Sequence, residues 1–258
     1  KAIQGPVFHH DGQNFSKAYD IKFQDVNGKE SYVWQNTWAI STRMIGVMFA
    51  IHSDDKGLVL PPKLAATQVV IVPILFEDSK AEVLKKAREI QKNLEKKGIS
   101  VYLDDRDNYN PGWKFNEWEM KGIPVRIELG PRDLEKHQVM VARRDTSEKQ
   151  ALEITAIADE VRILLDDIQK SLFDKAQKIL DKSILKVDNL KDAKAAFKDK
   201  RIVIAPWCSA VECEDIFKEK TGAKSLNSPL EQPKLKKSQK CSFCKEEAKL
   251  WMHFGKSY

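Results

Sequence analysis

Apolar residues recur with the period of a helix in one stretch of the first half of the chain. Between Asp78 and Lys97 they return every three or four positions, as on one face of an α-helix. Gly98 follows as a helix stop signal. The runs TQVVIVPIL before this helix and ISVYLDD after it are short and rich in β-branched residues, which predicts strands. The apolar positions of the helix are Val83, Leu84, Ala87, Ile90 and Leu94.

Short elements continue beyond this stretch. Pro111 to Lys121 predicts a short helix that ends at Gly122. The runs IPVRIELG and QVMVARR then predict two more strands. The order βαβαββ, followed by another helix, predicts a mainly parallel sheet covered by helices.

A long amphipathic stretch comes next. From Thr146 to Ser183 apolar residues fall on one helix face, which predicts a single long helix. Asp145, with Glu148 three positions later, gives a helix start signal. The run RIVIAPW then predicts another strand. The apolar stripe consists of Ile157, Val161, Leu164, Ile168, Leu172, Ala176 and Ile179.

The segment up to about Leu64 mixes short strands with one helix. YVWQNTWAIST alternates aromatic and polar positions, which predicts a strand. It leads through Arg43 into MIGVMFAIH, a nearly all-apolar run that predicts a buried helix. Gly57, Pro61 and Pro62 then mark a loop and a domain boundary.

The composition is that of a globular protein with a modest basic excess. The chain has 258 residues, of which 42% are hydrophobic and 32% are charged, enough for one large domain or two smaller ones. It has no apolar run of about 18 residues and no signal-peptide core, so we expect a soluble intracellular protein. The net charge of +6 fits a polyanionic partner without requiring one. The chain opens without Met and in polar sequence, so we expect it to start inside a longer protein.

The four cysteines form two close pairs near the end of the chain. Four residues separate Cys208 from Cys213, and two separate Cys241 from Cys244. A secreted disulfide scaffold would be shorter and denser in cysteine, whereas two pairs joined by a linker are typical of a metal site in a reducing compartment. Four thiolates suffice to close a tetrahedral zinc site. The alternative is four reduced structural thiols, although their Lys and Glu neighbours are unusual for a core.

One charged stretch is unusually rich in aromatic residues. WKFNEWEMKGIPVRIELGPRD holds two tryptophans, a phenylalanine, three glutamates, two arginines and two lysines. Single-stranded RNA is recognised by stacking of its bases on aromatic or guanidinium planes and by bonds to base edges, while cations hold its phosphates. RDNYNPGWKFNEWEMKG supplies all three kinds of group. The alternative is that Trp113, Phe115 and Trp118 pack a small helix onto its domain.

Several stretches in order resemble one protein family. They are AIQGPVFHHDGQNFSK, NTWAISTRMIG, GLVLPPKLA, RDNYNPGWKFNEWEMKGIPVRIELGPRD, the paired cysteines and the terminal FGKSY. Together they resemble prolyl-tRNA synthetase of the eukaryotic and archaeal type, which carries a C-terminal extension. The resemblance covers essentially the whole chain, and the ordered set is far more specific than any one stretch.

The resemblance implies three parts with different folds. Residues 1–64 would be the C-terminal part of the antiparallel catalytic domain of a class II synthetase. Residues 65–170 would be an α/β anticodon-binding domain with a mixed five-stranded sheet, and residues 171–258 a small α+β zinc-binding domain. Only the third class II motif, around NTWAISTRMIG, is found here. We therefore expect the remainder of the catalytic domain upstream of Lys1, and we expect this chain alone to be unable to activate proline.

The resemblance also implies ATP-binding residues. Arg43 matches the third-motif arginine that holds the phosphates of ATP, and a guanidinium fork suits phosphate oxygens. Ser41 matches a neighbouring ATP-binding hydroxyl, where the family usually has Thr. Gln4 matches the position that touches ATP and magnesium, for which a side-chain carbonyl is a suitable hard ligand. Without the resemblance, spacing alone favours a structural ion pair for Arg43 and a surface role for Gln4.

The amino-acid pocket departs from the family pattern. His9 matches the histidine that contacts proline. A zinc site at the histidine pair is disfavoured because adjacent residues of one strand point to opposite faces. Val7 and Phe8 stand where the family usually has two hydroxyl residues, so we expect a changed amino-acid pocket.

The resemblance assigns the remaining sites. In the anticodon-binding part it indicates Arg106, Lys114, Phe115 and Glu117, and the Glu117 carboxylate could accept from the N1–H and N2–H₂ edge of a guanine. The four cysteines would bind zinc in a closed structural site. The family's C-terminal tyrosine folds back towards the active site. The matching residue is Tyr258, and we predict that the tail is ordered and packed beside the first segment.

The implied activity is ATP-dependent attachment of L-proline to tRNA(Pro) through prolyl-adenylate, with Mg²⁺ and Zn²⁺ as metals. The implied protein is a cytoplasmic homodimer without a membrane partner. A non-catalytic tRNA-binding module is the alternative. Gln4, His9, Ser41 and Arg43 argue against it, because a pure binding module has no use for ATP ligands.

Overall fold

The computed structural model describes residues 2–257. One compact unit comprises the residues up to Met44 together with those from Lys178 onward, and the other comprises Ile45–Gln177. Across the described residues no helix is long and apolar enough to cross a membrane. The boundaries expected after residues 64 and 170 stay predictions.

Antiparallel strand pairs form the N-terminal segment. Its elements are β1 Val7–Gly12, α1 Asn14–Ala18, β2 Lys22–Gln24, β3 Glu30–Tyr32, β4 Gln35–Ala39 and α2 Arg43–His52. β1 pairs with β4 and β2 pairs with β3, both antiparallel. The prediction of one strand over YVWQNTWAIST is wrong, because its residues divide between β3 and β4, which pair with different strands. Alternation gives the face of a strand but not where the chain turns.

The predicted apolar helix is present as α2, but its predicted burial is wrong. No residue of α2 is buried, and Ile45 and Ile51 are 52% and 43% exposed. The pattern shows that these residues are apolar enough for a core. Burial also needs a surface that packs against them, and the described residues do not supply a complete one.

A mixed sheet organises the second unit. Its elements are β5 Val69–Pro73, a 3₁₀ turn at Glu77–Ser79, α3 Lys80–Lys96, β6 Val101–Leu103, α4 Pro111–Met120, β7 Val125–Leu129, α5 Pro131–Glu135, β8 Gln138–Arg143, β9 Lys149–Glu153 and the long helix α6 Ile157–Ser183. The strand order is β6-β5-β7-β8-β9. β5 is parallel to both β6 and β7, whereas β7, β8 and β9 are antiparallel neighbours. The mixed five-stranded sheet implied by the resemblance is confirmed.

The start of the long helix lies later than predicted. α6 begins at Ile157 and not near Thr146, because Lys149–Glu153 forms β9 and pairs with β8 in a hairpin. Ser147 in the connecting turn has φ 62°, and Arg143 N–H donates to the Glu148 carbonyl at 2.9 Å. The sequence KQALE suits a helix, so pairing with a neighbouring strand overrides its local preference. The short helix α5 was not predicted.

The main core of this unit lies on one side of the sheet and a smaller cluster on the other. Alternate β5 residues point to opposite faces: Val69 and Ile71 join the core under α3 and α6, whereas Val70 and Val72 pack with Trp118 of α4. Each fully buried aliphatic side chain contributes about 1.5–3 kcal/mol. Helices therefore pack against both faces of the sheet, and the carboxyl ends of its parallel strands can position side chains.

The C-terminal segment forms a second, smaller sheet. Its elements are β10 Ile184–Lys186, α7 Leu190–Lys198, β11 Ile202–Trp207, α8 Val211–Thr221, β12 Lys224–Ser225 and β13 Leu250–Gly255. The strand order is β10-β11-β13-β12. The predicted strand RIVIAPW is confirmed as β11. Phe217 and Phe254 are buried in its core, where their rings pack at 4.8 Å between centroids.

Candidate functional site

The charged and aromatic helix α4 has residues suited to both of its ends. The Asn110 side chain accepts from the Trp113 N–H at 2.8 Å, which satisfies a free donor of the first turn. Gly122 follows the helix with φ 73°, a conformation that glycine adopts without a steric penalty. Between these ends Trp118 packs on Val70 of β5. The helix therefore lies on the sheet face opposite the main core.

A network of charged side chains connects α4 with the end of β6. Arg106 Nε and Nη2 donate to the two carboxylate oxygens of Asp104, each at 2.8 Å, and Nη2 also donates to Glu117. Glu117 accepts in addition from Lys121 Nζ at 2.7 Å. Burial raises the pKa of Asp104, but hydrogen bonds from Arg106 and Trp118 outweigh this effect and the net shift is downward.

The network contains three of the four predicted anticodon residues. Arg106 and Glu117 are bonded to each other, and Lys114 is 2% exposed, with its Nζ donating to the Asp104 carbonyl at 3.1 Å. Burial lowers the pKa of Lys114. The fourth residue, Phe115, lies under the guanidinium of Arg126, 4.5 Å from its ring centroid. The role of these four residues in RNA contact stays a prediction.

A cavity of about 310 Å³ opens where β5 and β6 end. The chain leaves β5 for α3 on one face of the sheet and leaves β6 for α4 on the other, which makes this a topological switch point where α/β sheets bind ligands. Arg106 and Lys114 line the cavity together with Phe76, Lys80 and Tyr109. The Tyr109 ring stacks on Trp113 at 4.0 Å, so cations and aromatic faces meet at its rim.

A second cavity, of about 220 Å³, lies beside the C-terminal end of α4. Its charged lining includes Lys56, Glu119, Arg126, Arg144 and Lys149. These residues come from α4, from separate strands and from loops. Sequence reasoning missed them because no local pattern connects them.

Of the predicted ATP and proline residues, His9 lies in β1 and Arg43 begins α2, whereas Gln4 precedes β1 and Ser41 lies between β4 and α2. Gln4, His9, Ser41 and Arg43 are all exposed. A Cβ placed on Gly5 would lie 3.9 Å from Met44 Sδ, so the segments that carry Gln4 and Arg43 are neighbours. Their roles stay predictions.

The two adjacent histidines have different surroundings. His9 lies opposite Thr37 in the register of β1 and β4. His10 Nδ1 is bonded to Asn36 Oδ1 at 2.7 Å, and its ring stacks on Trp34 at 5.8 Å. Asn36 and Trp34 thus hold the His10 ring. The resemblance connects the other histidine, His9, with the substrate.

The four cysteines meet in one cluster. Cys208 follows β11, Cys213 lies in α8, and Cys241 and Cys244 lie in the turns before β13. All four Sγ atoms lie within 4.8 Å of one another. The Sγ atoms of Cys213 and Cys241 are 3.8 Å apart, and those of Cys208 and Cys244 are 3.5 Å apart.

These distances fit a tetrahedral metal site. Zn–S bonds of about 2.3 Å place the sulfurs of a tetrahedron about 3.8 Å apart. Burial, followed by the nearby Cys241 sulfur, raises the pKa of the Cys213 thiol. Metal ligation needs the thiolate form of each cysteine, which a bound cation favours. The donor set fits zinc and leaves no open coordination position.

The C-terminal tail packs as predicted as far as Ser257. Trp251 and Phe254 of β13 are buried. Ala2 N–H donates to the Lys256 carbonyl at 2.9 Å, and Ala2 and Ser257 form a parallel bridge. The predicted contact between the tail and the first segment is therefore confirmed for these residues, and Tyr258 lies outside the described residues.

Two family models match separate parts of the chain. The model described as anticodon binding domain matches residues 68–164, which include the mixed sheet and α4. The model described as prolyl-tRNA synthetase, C-terminal, matches residues 190–258, which include the cysteine cluster.

Relatives from different groups of organisms are similar to the whole chain. Proline–tRNA ligase 2 of Bacillus thuringiensis (strain Al Hakam) is 44% identical over 259 residues, which cover 100% of this chain and 53% of that protein. Proline–tRNA ligase of Thermococcus kodakarensis is 44% identical over 261 residues, covering 100% and 54%. Proline–tRNA ligase 2 of Clostridioides difficile (strain 630) is 43% identical over 259 residues, covering 100% and 53%. The chain thus spans about half the length of these relatives.

Proposed function

The chain belongs to the prolyl-tRNA synthetase family, and from this premise we propose that it supplies the anticodon-reading part and a portion of the active site of a proline–tRNA ligase. The complete enzyme would activate L-proline with ATP to prolyl-adenylate and transfer the prolyl group to tRNA(Pro). One observation carries the proposal: α4 is flanked by two cavities whose linings combine cations, carboxylates and aromatic rings, within the region that matches an anticodon-binding domain.

The chemistry of these cavities suits unstacked bases. The carboxylates of Glu119 in the second cavity and of Glu117 on α4 can accept from the N–H edge of a guanine, and Arg106 or Arg126 can donate to base oxygens or stack on a base. Lys149 can hold a phosphate. Phe115 supports this surface, because the cations of Arg126 and Lys149 lie over its ring.

The activation step would use the exposed residues of the first segment. Arg43, at the first position of α2, would donate to the phosphates of ATP as the prolyl carboxylate attacks the α-phosphorus, the bond to the β-phosphate breaks and pyrophosphate leaves. Ser41 would bind ATP beside it, and His9 would contact proline. Gln4 would hold Mg²⁺, which neutralises phosphate charge when bound. The developing charge would thus be stabilised by a fixed guanidinium.

The cysteine cluster would hold a structural zinc ion. Cys208, Cys213, Cys241 and Cys244 supply four sulfurs at distances that suit one ion. The ion would join β11, α8 and the turns before β13, and a site closed by four thiolates binds no substrate.

The wider setting follows from the family. We propose that residues 1–64, 65–170 and 171–258 correspond to catalytic, anticodon-binding and zinc-binding parts, and that the rest of the catalytic domain lies upstream of Lys1. The assembled enzyme would be a cytoplasmic homodimer. The upstream part is supported by the relatives, which are about twice as long as this chain, and the boundaries, the compartment and the dimer rest on the resemblance to the family.

The test separates recognition from catalysis. The chain should bind tRNA(Pro) more tightly than the same tRNA with its anticodon replaced, measured by fluorescence anisotropy. The full-length protein should catalyse pyrophosphate exchange that depends on proline, with alanine as the control amino acid. Exchange without any proline dependence would refute the ligase. Anticodon-dependent binding without exchange in the full-length protein would favour the non-catalytic tRNA-binding module.

A further inference from the structure

Asp104 is a fully buried carboxylate at the carboxyl end of β6. Its side chain is 0% exposed, and its N–H donates to the Ile71 carbonyl of β5 at 2.9 Å. The backbone that carries the carboxylate is therefore fixed to the central strand of the parallel part of the sheet. A buried charge in such a place is costly unless it is paired and hydrogen-bonded.

The hydrogen bonds that the Asp104 carboxylate accepts come from two segments of the chain. Arg106, in the loop after β6, gives two bonds of 2.8 Å to its two oxygens. Trp118, in the last turn of α4, donates its indole N–H to Oδ2 at 2.8 Å. Lys114, one turn earlier in α4, donates to the Asp104 carbonyl and lies 3.8 Å from Oδ1. Asp104 is thus a shared acceptor for the loop and the helix.

This arrangement determines the orientation of the Arg106 guanidinium. A bidentate pair fixes the plane of the fork as well as its position. Tyr109 and Trp113 lie against the guanidinium, with ring centroids 5.0 and 5.5 Å from its central carbon. Arg106 remains 31% exposed and lines the cavity at the ends of β5 and β6. It is therefore held from within the protein while part of it faces the surface.

We propose that Asp104 is a positioning residue for anticodon reading, which holds Arg106 and α4 in the orientation that recognises RNA bases and makes no contact with RNA. The inference rests on the proposed function, because it assumes that this surface reads an anticodon. An asparagine at this position can still accept from Trp118. It cannot hold the whole guanidinium fork, because only one of its two polar atoms is an acceptor.

The test compares Asp104→Asn with Asp105→Asn in this chain. Asp105 is the adjacent carboxylate, but it is 48% exposed and pairs with Arg88 at 3.5 Å, so it is a matched control. Arg106→Met and the double variant Asp104→Asn/Arg106→Met complete the set. The probe is a stem-loop RNA with a proline anticodon, together with versions in which each anticodon base is replaced. The readout is the ratio of the Kd values for replaced and original RNA.

This ratio separates positioning from stability. A variant that is only partly folded loses affinity for every RNA in proportion, which leaves the ratio unchanged. Asp104→Asn should lower the ratio for at least one anticodon base on the order of tenfold, the discrimination that a directed pair of hydrogen bonds gives. Asp105→Asn should keep the wild-type ratio. The double variant should have a ratio no lower than that of Arg106→Met alone, because the effects of substituting two residues that act as one unit are not additive.

Two results would overturn the inference in different ways. If the wild-type chain prefers the proline anticodon and Asp104→Asn keeps that preference, Asp104 is only structural and the proposed function stands. If the wild-type chain shows no preference among the RNAs, the proposed function fails, and the role of Asp104 fails with it.

Discussion

At the scale of single residues, one buried arginine connects parts of the second unit that are distant in sequence. Arg144 is 3% exposed. Its Nη atoms donate to both carboxylate oxygens of Asp54, at 2.8 and 2.6 Å, and its Nε donates to the Glu119 carbonyl at 2.8 Å. One guanidinium thus joins the loop after α2, the end of α4 and the end of β8 beside the smaller cavity.

This contact gives the second unit an acid-sensitive contribution to stability. The hydrogen bond from Arg144 lowers the pKa of Asp54 to about 2. A carboxylate with a lowered pKa stabilises the fold above its unfolded value of about 3.9, and this contribution is lost as the pH falls towards the folded value. The free energy of unfolding, measured with urea, should therefore fall less between about pH 4 and pH 2 for Asp54→Asn than for wild type. Asp55→Asn, at an exposed neighbour, is the control and should behave as wild type. Equal slopes of the free energy of unfolding against pH for Asp54→Asn and wild type would contradict the assignment.

A second residue-scale prediction concerns activation. Arg43 is exposed at the start of α2. Arg43→Ala in the full-length protein should lower proline-dependent pyrophosphate exchange on the order of 10²-fold, because a fixed cation at the phosphates is lost from the transition state. Binding of tRNA(Pro) should stay unchanged. Lys29→Ala, in the turn between β2 and β3, is the control cation, and near-normal exchange in Arg43→Ala would refute the role of Arg43.

At the scale of elements, the position of α4 depends on a close backbone contact at its end. Gly122 has φ 73°, and a Cβ at this position would lie 2.5 Å from the Leu58 carbonyl carbon and oxygen. The Leu60 N–H donates to the Gly122 carbonyl at 3.1 Å. The segment after α2 therefore packs directly on the end of α4, and only glycine allows this approach.

Two glycines provide a matched test of this contact. Gly98 has φ 77° but nothing within 4 Å of its hypothetical Cβ. Gly98→Ala should lower the free energy of unfolding by about 1 kcal/mol, from backbone strain alone. Gly122→Ala should lower it by at least about 2 kcal/mol more, because backbone atoms must also move. Chemical denaturation of both variants measures the difference. Equal losses would show that the contact at Gly122 relaxes easily.

At the scale of the whole molecule, the two compact units have different sources of stability. The unit Ile45–Gln177 has a large aliphatic core between its sheet and the helices α3 and α6. The C-terminal segment has a smaller core that contains Cys208, Cys213 and Cys241 themselves. Small domains of this kind often depend on a structural metal for part of their folding free energy.

The corresponding prediction is about one zinc per chain, measured by elemental analysis. A strong chelator should lower the melting temperature of the C-terminal segment, because removing the ion leaves the four clustered thiols, three of them buried, without their shared partner. Unfolding of the unit Ile45–Gln177 should be unaffected, so two transitions should separate in a thermal scan. Cys244→Ser should reproduce the effect without a chelator. A protein free of metal, with four thiols that titrate freely in the native state, would contradict the zinc site.

The sequence by itself determined the elements with strong periodicity and the family. The apolar spacing of α3 and the β-branched run of β5 leave few alternatives, because local spacing fixes which face of an element is apolar. The ordered stretches that resemble prolyl-tRNA synthetase, together with the cysteine pairs, indicated the family that the comparisons support.

Tertiary structure alone decided where those elements end and which side chains meet. β9 formed from a sequence that suits a helix, because pairing with β8 outweighs a small local preference. Asp104 and Arg144 could not be recognised from the sequence, since their partners lie in other segments and a charge gives no sign of its burial. The charge of Lys114 likewise gives no sign that its Nζ donates to the Asp104 carbonyl, because only the fold brings that acceptor to it. Local spacing specifies faces, whereas contacts between distant residues depend on how those faces pack.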